Sequence, residues 1–200
     1  MATVAPTERS ARDRILDTAS ELFSRGGYHA VGVDTIVARS GVAKMTLYRH
    51  FLSKDDLIAA YLERANAEFW DWLEAEIESV EDPRAKLVAA FDATAKLAAS
   101  PRCQGCTFQG AASEFPELDH PGHRVALAHK RQALERFGDL ARRARLRDPD
   151  GLAGQLLLLM DGAWVAVRMF GPNNHATSVA GAARALIAAH AGTGKPAAAG

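Results

Sequence analysis

Apolar positions along this chain recur at intervals of three and four, and almost never at two. Ile15, Leu16, Ala19, Leu22 and Phe23 form one stripe and predict a first helix over about residues 8–25. Gly26-Gly27 ends it, because glycine enters the left-handed region cheaply. Ile36 and Val37 mark a short second helix, about 34–40, broken at Gly41. Val42, Leu47 and Phe51 give a third, about 44–50, one apolar line along its length. Ser53, with Asp56 three residues on, reads as the cap of a long fourth helix reaching about Val80. Asp82-Pro83 and Asp148-Pro149 each pair an N-cap with proline at the first helical position, opening helices of about 83–99 and 149–170. Between them lie the loop PRCQGC, a short helix of about 106–114, and a long one of about 122–146 after His120-Pro121-Gly122. A last helix is expected over about 175–190. No internal repeat is visible. The fold class is all-α, with three short helices ahead of a larger helical body.

The boundary falls near residue 53, giving segments 1–52 and 53–192 and a tail, 193–200, of disordered composition. No Pro/Gly/Ser-rich linker separates the first two, so the fourth helix couples them mechanically.

Composition adds little until charge is read along the chain. The protein has 200 residues, 48% of them apolar, and a formal net charge of +0. It is globular by composition, and its total charge points to no partner. From Thr35 to Lys54, however, the only charged residues are Arg39, Lys44, Arg49 and Lys54. From Asp55 to Asp82 nearly every charge is acidic, Arg64 excepted. So abrupt a change of sign suits a surface that meets an anion at one end. The two cysteines, Cys103 and Cys106, are too few for a secreted disulfide framework. The opening MATVAPTERSARDR has no apolar h-region, and the run Leu156–Met160 is too short for a bilayer. A cytoplasmic protein with no membrane partner is expected.

The second and third helices, joined by Ser40-Gly41-Val42, have the spacing of a helix-turn-helix. Leu47 and Phe51 fix the third helix inward, leaving Lys44, Met45, Thr46, Tyr48, Arg49 and His50 to face outward. A helix fits the major groove and reads base edges with its N-terminal side chains. Lys44 can donate to guanine, and Met45 or Thr46 can touch a thymine methyl. Tyr48 and His50 carry donors for phosphate oxygens, and Lys54 would hold the backbone beside them. Helix ends near Thr35 and Ser53 add partial positive charge. The bland alternative is a three-helix core with a solvated charged face.

The stretch DTIVARSGVAKMTLYRHFLSKDDLIAAYL resembles the DNA-binding signature of the TetR (tetracycline repressor) family. Ile36 and Ala38, Gly41-Val42, Thr46-Leu47-Tyr48, His50-Phe51 and Ser53-Lys54-Asp55 carry the likeness, with FSRGGYHAVGV ahead of them. It is close over about residues 10–62 and departs at Gly32, where Ser or Thr often caps, and at Leu52, where proline is common. The resemblance implies an N-terminal helix-turn-helix DNA-binding domain followed by a larger helical effector-binding and dimerisation domain. It implies a homodimeric repressor that binds double-stranded DNA at a palindromic operator and is released by a small-molecule effector. It further implies that Thr35, Lys44, Thr46, Tyr48, His50 and Lys54 contact DNA.

In the body, Leu152, Leu156, Leu159, Ala163, Val167 and Phe170 line one side of the 149–170 helix, and Leu157, Leu158, Trp164 and Val165 widen it beyond one core face. With Gly162, Gly181, Ala182, Ala185 and Ala189 allowing close approach, these helices are the dimer candidates, as in the family; a central position in a monomer core is the alternative. By family analogy a ligand pocket draws on Phe69, Phe91, Phe108, Phe115 and Trp164, with His129 or Arg168 as polar anchors, though aromatics at helical spacing are more often core. The piece CQGCTFQGAASEFPELDHPGHRVALAHK stays open between a thiol switch at Cys103 and Cys106, a metal site of those cysteines with His120 and His123, and a packed loop. The packed loop is favoured, so no metal and no cofactor is expected. The basic run Arg124, Lys130, Arg131, Arg136, Arg142, Arg143, Arg145 and Arg147 could be a second nucleic-acid surface or a partner for the acidic fourth helix, but is read as a solvated face. No Ser-His-Asp, Cys-His or paired-carboxylate spacing supports an enzyme, so no catalytic residue is assigned. Intact Thr46-Leu47-Tyr48 and Lys54 argue against a ligand-binding protein that has lost DNA recognition.

Overall fold

The computed structural model describes residues 10–191. Among the described residues nine α-helices follow in order: α1 (Ala11–Gly26), α2 (Val33–Ser40), α3 (Lys44–His50), α4 (Lys54–Ile77), α5 (Pro83–Ala98), α6 (Thr107–Glu114), α7 (Pro121–Arg143), α8 (Pro149–Phe170) and α9 (Val179–His190). No strand occurs among the described residues, so the all-α expectation holds. The tail at 193–200 lies outside the described residues, as do the first residues of the predicted opening helix.

The caps act as the residue types require. Asp82 accepts from the Ala85 amide at 2.8 Å, and Asp148 from the Gly151 amide at 3.2 Å, each followed by proline at the helix start. The Ser53 hydroxyl accepts from the Asp56 amide at 3.0 Å. Two ends depart from expectation. The last helix begins at Val179, because the Asn174 side chain accepts from the Ala176 amide and donates to the Gly171 carbonyl, diverting that turn into short 3-10 segments. The seventh helix stops at Arg143, since Arg145 turns left-handed at φ 53°.

The chain forms two compact units that interleave in sequence. One holds the described residues up to Asn66 together with Thr107–Leu127. Here α1, α2 and α3 pack on one another and bury Ile15, Leu16, Ala19, Phe23, Ile36 and Leu47. Rings of Phe23, Tyr28, Tyr61 and Phe115 meet at centroid distances of 5.2 to 6.2 Å. The Tyr28 hydroxyl donates to the Thr107 carbonyl at 2.9 Å, and Tyr61 meets the Thr107 hydroxyl at 2.8 Å, tying α6 to this unit. Glu114 ends α6 and accepts from the backbone amides of Tyr28 and His29 at 2.9 and 2.7 Å. Gly27, at φ 79°, makes that approach possible: a Cβ there would sit 2.7 Å from the Glu114 carboxylate.

The other unit comprises Ala67–Cys106 and the described residues from Ala128 onward. Its core gathers Trp70, Leu73, Leu87, Phe91, Phe137, Leu152, Leu156, Met160, Val167 and Ile187. There α9 packs on α5 and α8. The basic run of α7 is partly spent within this unit. Arg136 pairs with Glu74 of α4 and covers the Trp70 ring at 4.3 Å. Lys130 pairs with Asp161 of α8, and Arg142 with Asp139 and Asp150 at 2.6 Å each. By length and composition alone α8 could cross a membrane. Its inward face, Leu152, Leu156, Ala163 and Val167, is instead core to this unit.

Candidate nucleic-acid interface

Helix α3 is short, and its position rests on a few buried residues. Gly41 closes α2 in the left-handed conformation at φ 65°, with open space where a side chain would stand. Val42, Leu47 and Phe51 are all buried, so the other side of α3 is turned outward. Lys44, Met45, Tyr48, Arg49 and His50 are exposed, and Thr46 is half-buried. Met45 is 74% exposed, a large apolar side chain held in solvent on the outward side of α3. Thr35, in the first turn of α2, is exposed as well, and Lys54 at the start of α4 is half-buried. All eight sequence-predicted nucleic-acid residues therefore belong to one compact unit, on α2, α3 and the first residue of α4.

Two of these cations are held by groups that local sequence reasoning passes over. The Lys44 ammonium sits 2.7 Å from the Asp34 carboxylate in the first turn of α2. A hydrogen bond to Asp34, reinforced by its charge, raises the Lys44 pKa above the ordinary lysine value. The Lys54 ammonium donates to the His29 carbonyl at 3.3 Å, which aims it alongside the α1–α2 turn. Arg39 of α2 pairs with Glu21 of α1 at 3.1 Å. Asp34 carries a sequence signal, an acid opening a helix N-terminus. Its partnership with Lys44 follows only once the turn folds α3 back on α2.

The residues expected to line an effector site divide between the units. Phe108 and Phe115 lie in the first, where Phe115 stacks on His120 at 3.9 Å and meets His29 at 4.8 Å. Phe69, Phe91, His129, Trp164 and Arg168 lie in the second. Phe91 is fully buried against Phe137. His129 is buried between Phe69 and Trp70, and burial, then the Lys130 charge, pushes its pKa down to about 3. Arg168 is exposed and donates to the Gln104 carbonyl at 3.4 Å. Cys103 and Cys106 are unpaired to each other and half-buried in the second unit, whereas His120 and His123 belong to the first. His120 accepts from the Gly122 amide and opens α7; the His123 ring is hydrogen-bonded to the Phe115 carbonyl. No His/Cys/Asp/Glu group suited to a metal occurs among the described residues.

The outward stripe of α8 differs from the one periodicity favours. Leu152, Leu156, Ala163, Trp164 and Val167 point into the core, and Leu159 is half-buried. The exposed apolar residues are Leu158, Val165, Met169 and Phe170, with exposed Gly162 between the first two. On α9, Gly181, Ala182, Ala185 and Ala189 are exposed.

Comparison with known proteins places this geometry. The family described as bacterial regulatory proteins, tetR family, matches residues 15–61. A TetR-family transcriptional regulator of known structure from Streptomyces coelicolor is 32% identical, with a TM-score of 0.84 over 91% of this chain and 96% of that one. The transcriptional activator FasR of Mycolicibacterium smegmatis is 40% identical over 82 residues, 41% of this chain and 37% of that protein. The transcriptional repressor KstR of the same species is 44% identical over 57 residues, 28% of each. The chain thus spans well under half the length of the curated relatives it matches.

Proposed function

Because this chain belongs to the TetR family of transcriptional regulators, we propose that it is a homodimeric repressor that grips a palindromic operator with two copies of α3 and lets go when a small molecule binds the helical body. Regulation of transcription through DNA, rather than catalysis, is what its family does. The finer reading is carried by one observation: buried Leu47 and Phe51 hold α3 so that Lys44, Met45, Tyr48, Arg49 and His50 all face outward. Such a face enters the major groove, with Thr35 and Lys54 on flanking phosphates.

Dimerisation is supported by the second unit. Leu158 and Met169, 73% and 72% exposed, extend with Val165 along one side of α8. The small residues of α9 leave its exposed side open to close helix approach. Two heads on a two-fold axis read half-sites about 34–36 Å apart. Repression follows from occupancy, since a dimer in the groove excludes other proteins there. For the effector, Phe69, Phe91, His129, Trp164 and Arg168 remain the candidates in the second unit, with Phe108 and Phe115 in the first. Helices α4 and α7, continuous from one unit into the other, are the covalent route for a shift; coupling of about 1–3 kcal/mol is typical. The site of action is the cytoplasm, where the DNA is.

The test is a salt-titrated binding assay on DNA flanking the protein's own gene. Tyr48→Phe and Lys54→Ala should weaken binding on all sequences, and Lys54→Ala should lower the salt slope by about one. Lys44→Ala and Thr46→Ala should change sequence preference. If none of the four alters binding, α3 is not the reading element.

A further inference from the structure

Within the second unit, α4, α5 and α7 line a half-open cavity of about 230 Å³ that is separate from the effector candidates named above. That is smaller than the roughly 300–1,000 Å³ of drug-sized sites, and suits a single ring or a medium-length chain. Its inner wall is apolar: Trp70, Leu73 and Phe137 are buried core residues that reach it.

Its charged wall is unbalanced in a specific way. Glu74 is taken by Arg136, which also covers Trp70, and Asp139 is taken by Arg142. Both acids that line the cavity are therefore already neutralised. Lys86 of α5 and Arg143 of α7 line it too, and neither has an ion-pair partner among the described residues. Two uncommitted cations on different helices, beside an apolar floor, leave a place for one anionic head and one hydrocarbon body. Guanidinium and ammonium together suit a carboxylate.

We propose that this cavity binds small amphipathic monocarboxylates, the carboxylate bridging Lys86 and Arg143 and the hydrocarbon lying on Trp70 and Phe137. This deepens the effector-responsive reading, and rests on it only for the consequence at DNA.

Octanoate, octylamine and octanol share a tail and differ in charge. Titrated calorimetrically into the full-length protein without DNA, octanoate should bind about tenfold tighter than either of the others. In the Lys86→Ala/Arg143→Ala double variant that margin should vanish, and in Lys86→Glu/Arg143→Glu it should pass to octylamine. Equal affinity for all three, octanoate affinity untouched by the double alanine change, or no octanoate binding into the millimolar range overturns the proposal. The comparison of three ligands on the unaltered protein decides even if a variant fails to fold. DNA binding measured on the same samples separates the two claims. A protein that binds DNA but does not prefer octanoate sinks this inference alone. One that prefers octanoate but binds no DNA sinks the regulatory reading alone.

Discussion

Asp34 and Lys44 show how a single pair can set the charge on the outward side of α3. The carboxylate holds the ammonium at the N-terminal end of α3, and both are largely exposed. If α3 enters the groove as proposed, Lys44 exchanges Asp34 for a base or a phosphate, and Asp34 itself repels the duplex. Asp34→Asn is therefore expected to tighten binding to unrelated DNA a few-fold and to narrow the preference for specific sequence, measured by competition at fixed salt. His129 supplies a residue-scale prediction of a different kind. Its folded pKa, about 3, lies below the ordinary histidine value of 6.5. The unfolded chain then binds a proton near 6.5 that the folded one refuses. The stability that neutral His129 preserves is present above that pH, and is lost as pH falls from about 6.5 toward 3. Relative to His129→Gln, the wild type should lose about 1.5 kcal/mol between pH 6.5 and 5 in urea titrations. Parallel acid limbs for the two proteins would show that His129 ionises freely in the fold.

Among the elements, α6 is held by groups distant in sequence. Glu114 at its end accepts from the amides of Tyr28 and His29, and Thr107 at its start receives the hydroxyl of Tyr28. Glu114→Ala leaves those amides without their carboxylate and should cost about 1–3 kcal/mol, with faster hydrogen exchange at Tyr28 and His29. Unchanged exchange there would mean the carboxylate does not hold the turn. This link had no signature in the sequence, because it joins residues 86 apart. What was legible is local: the caps at Ser53, Asp82 and Asp148, the left-handed Gly41, and the alternation that buries Leu47 and Phe51 while exposing Tyr48. The stripe on α8 does not by itself separate core from surface, for a related reason. Leu152, Leu156 and Leu158 are chemically alike, and only packing against α9 and the rest of that unit decides that the first two face the core and the third faces out. Start points governed by a side chain's own hydrogen bond, such as Asn174 ahead of α9, likewise escape a periodicity argument.

For the molecule as a whole, the account requires two heads acting together. One α3 offers too few base contacts for specificity, so on the proposed reading the exposed side of α8 and α9 matters as much as the outward side of α3. Selection of bound duplexes from random DNA by the full-length protein, followed by sequencing, tests this most directly. The expected result is enrichment of an inverted repeat whose half-site centres lie about one helical turn, or a whole number of turns, apart. Enrichment of an isolated half-site, or of no sequence at all, would contradict it.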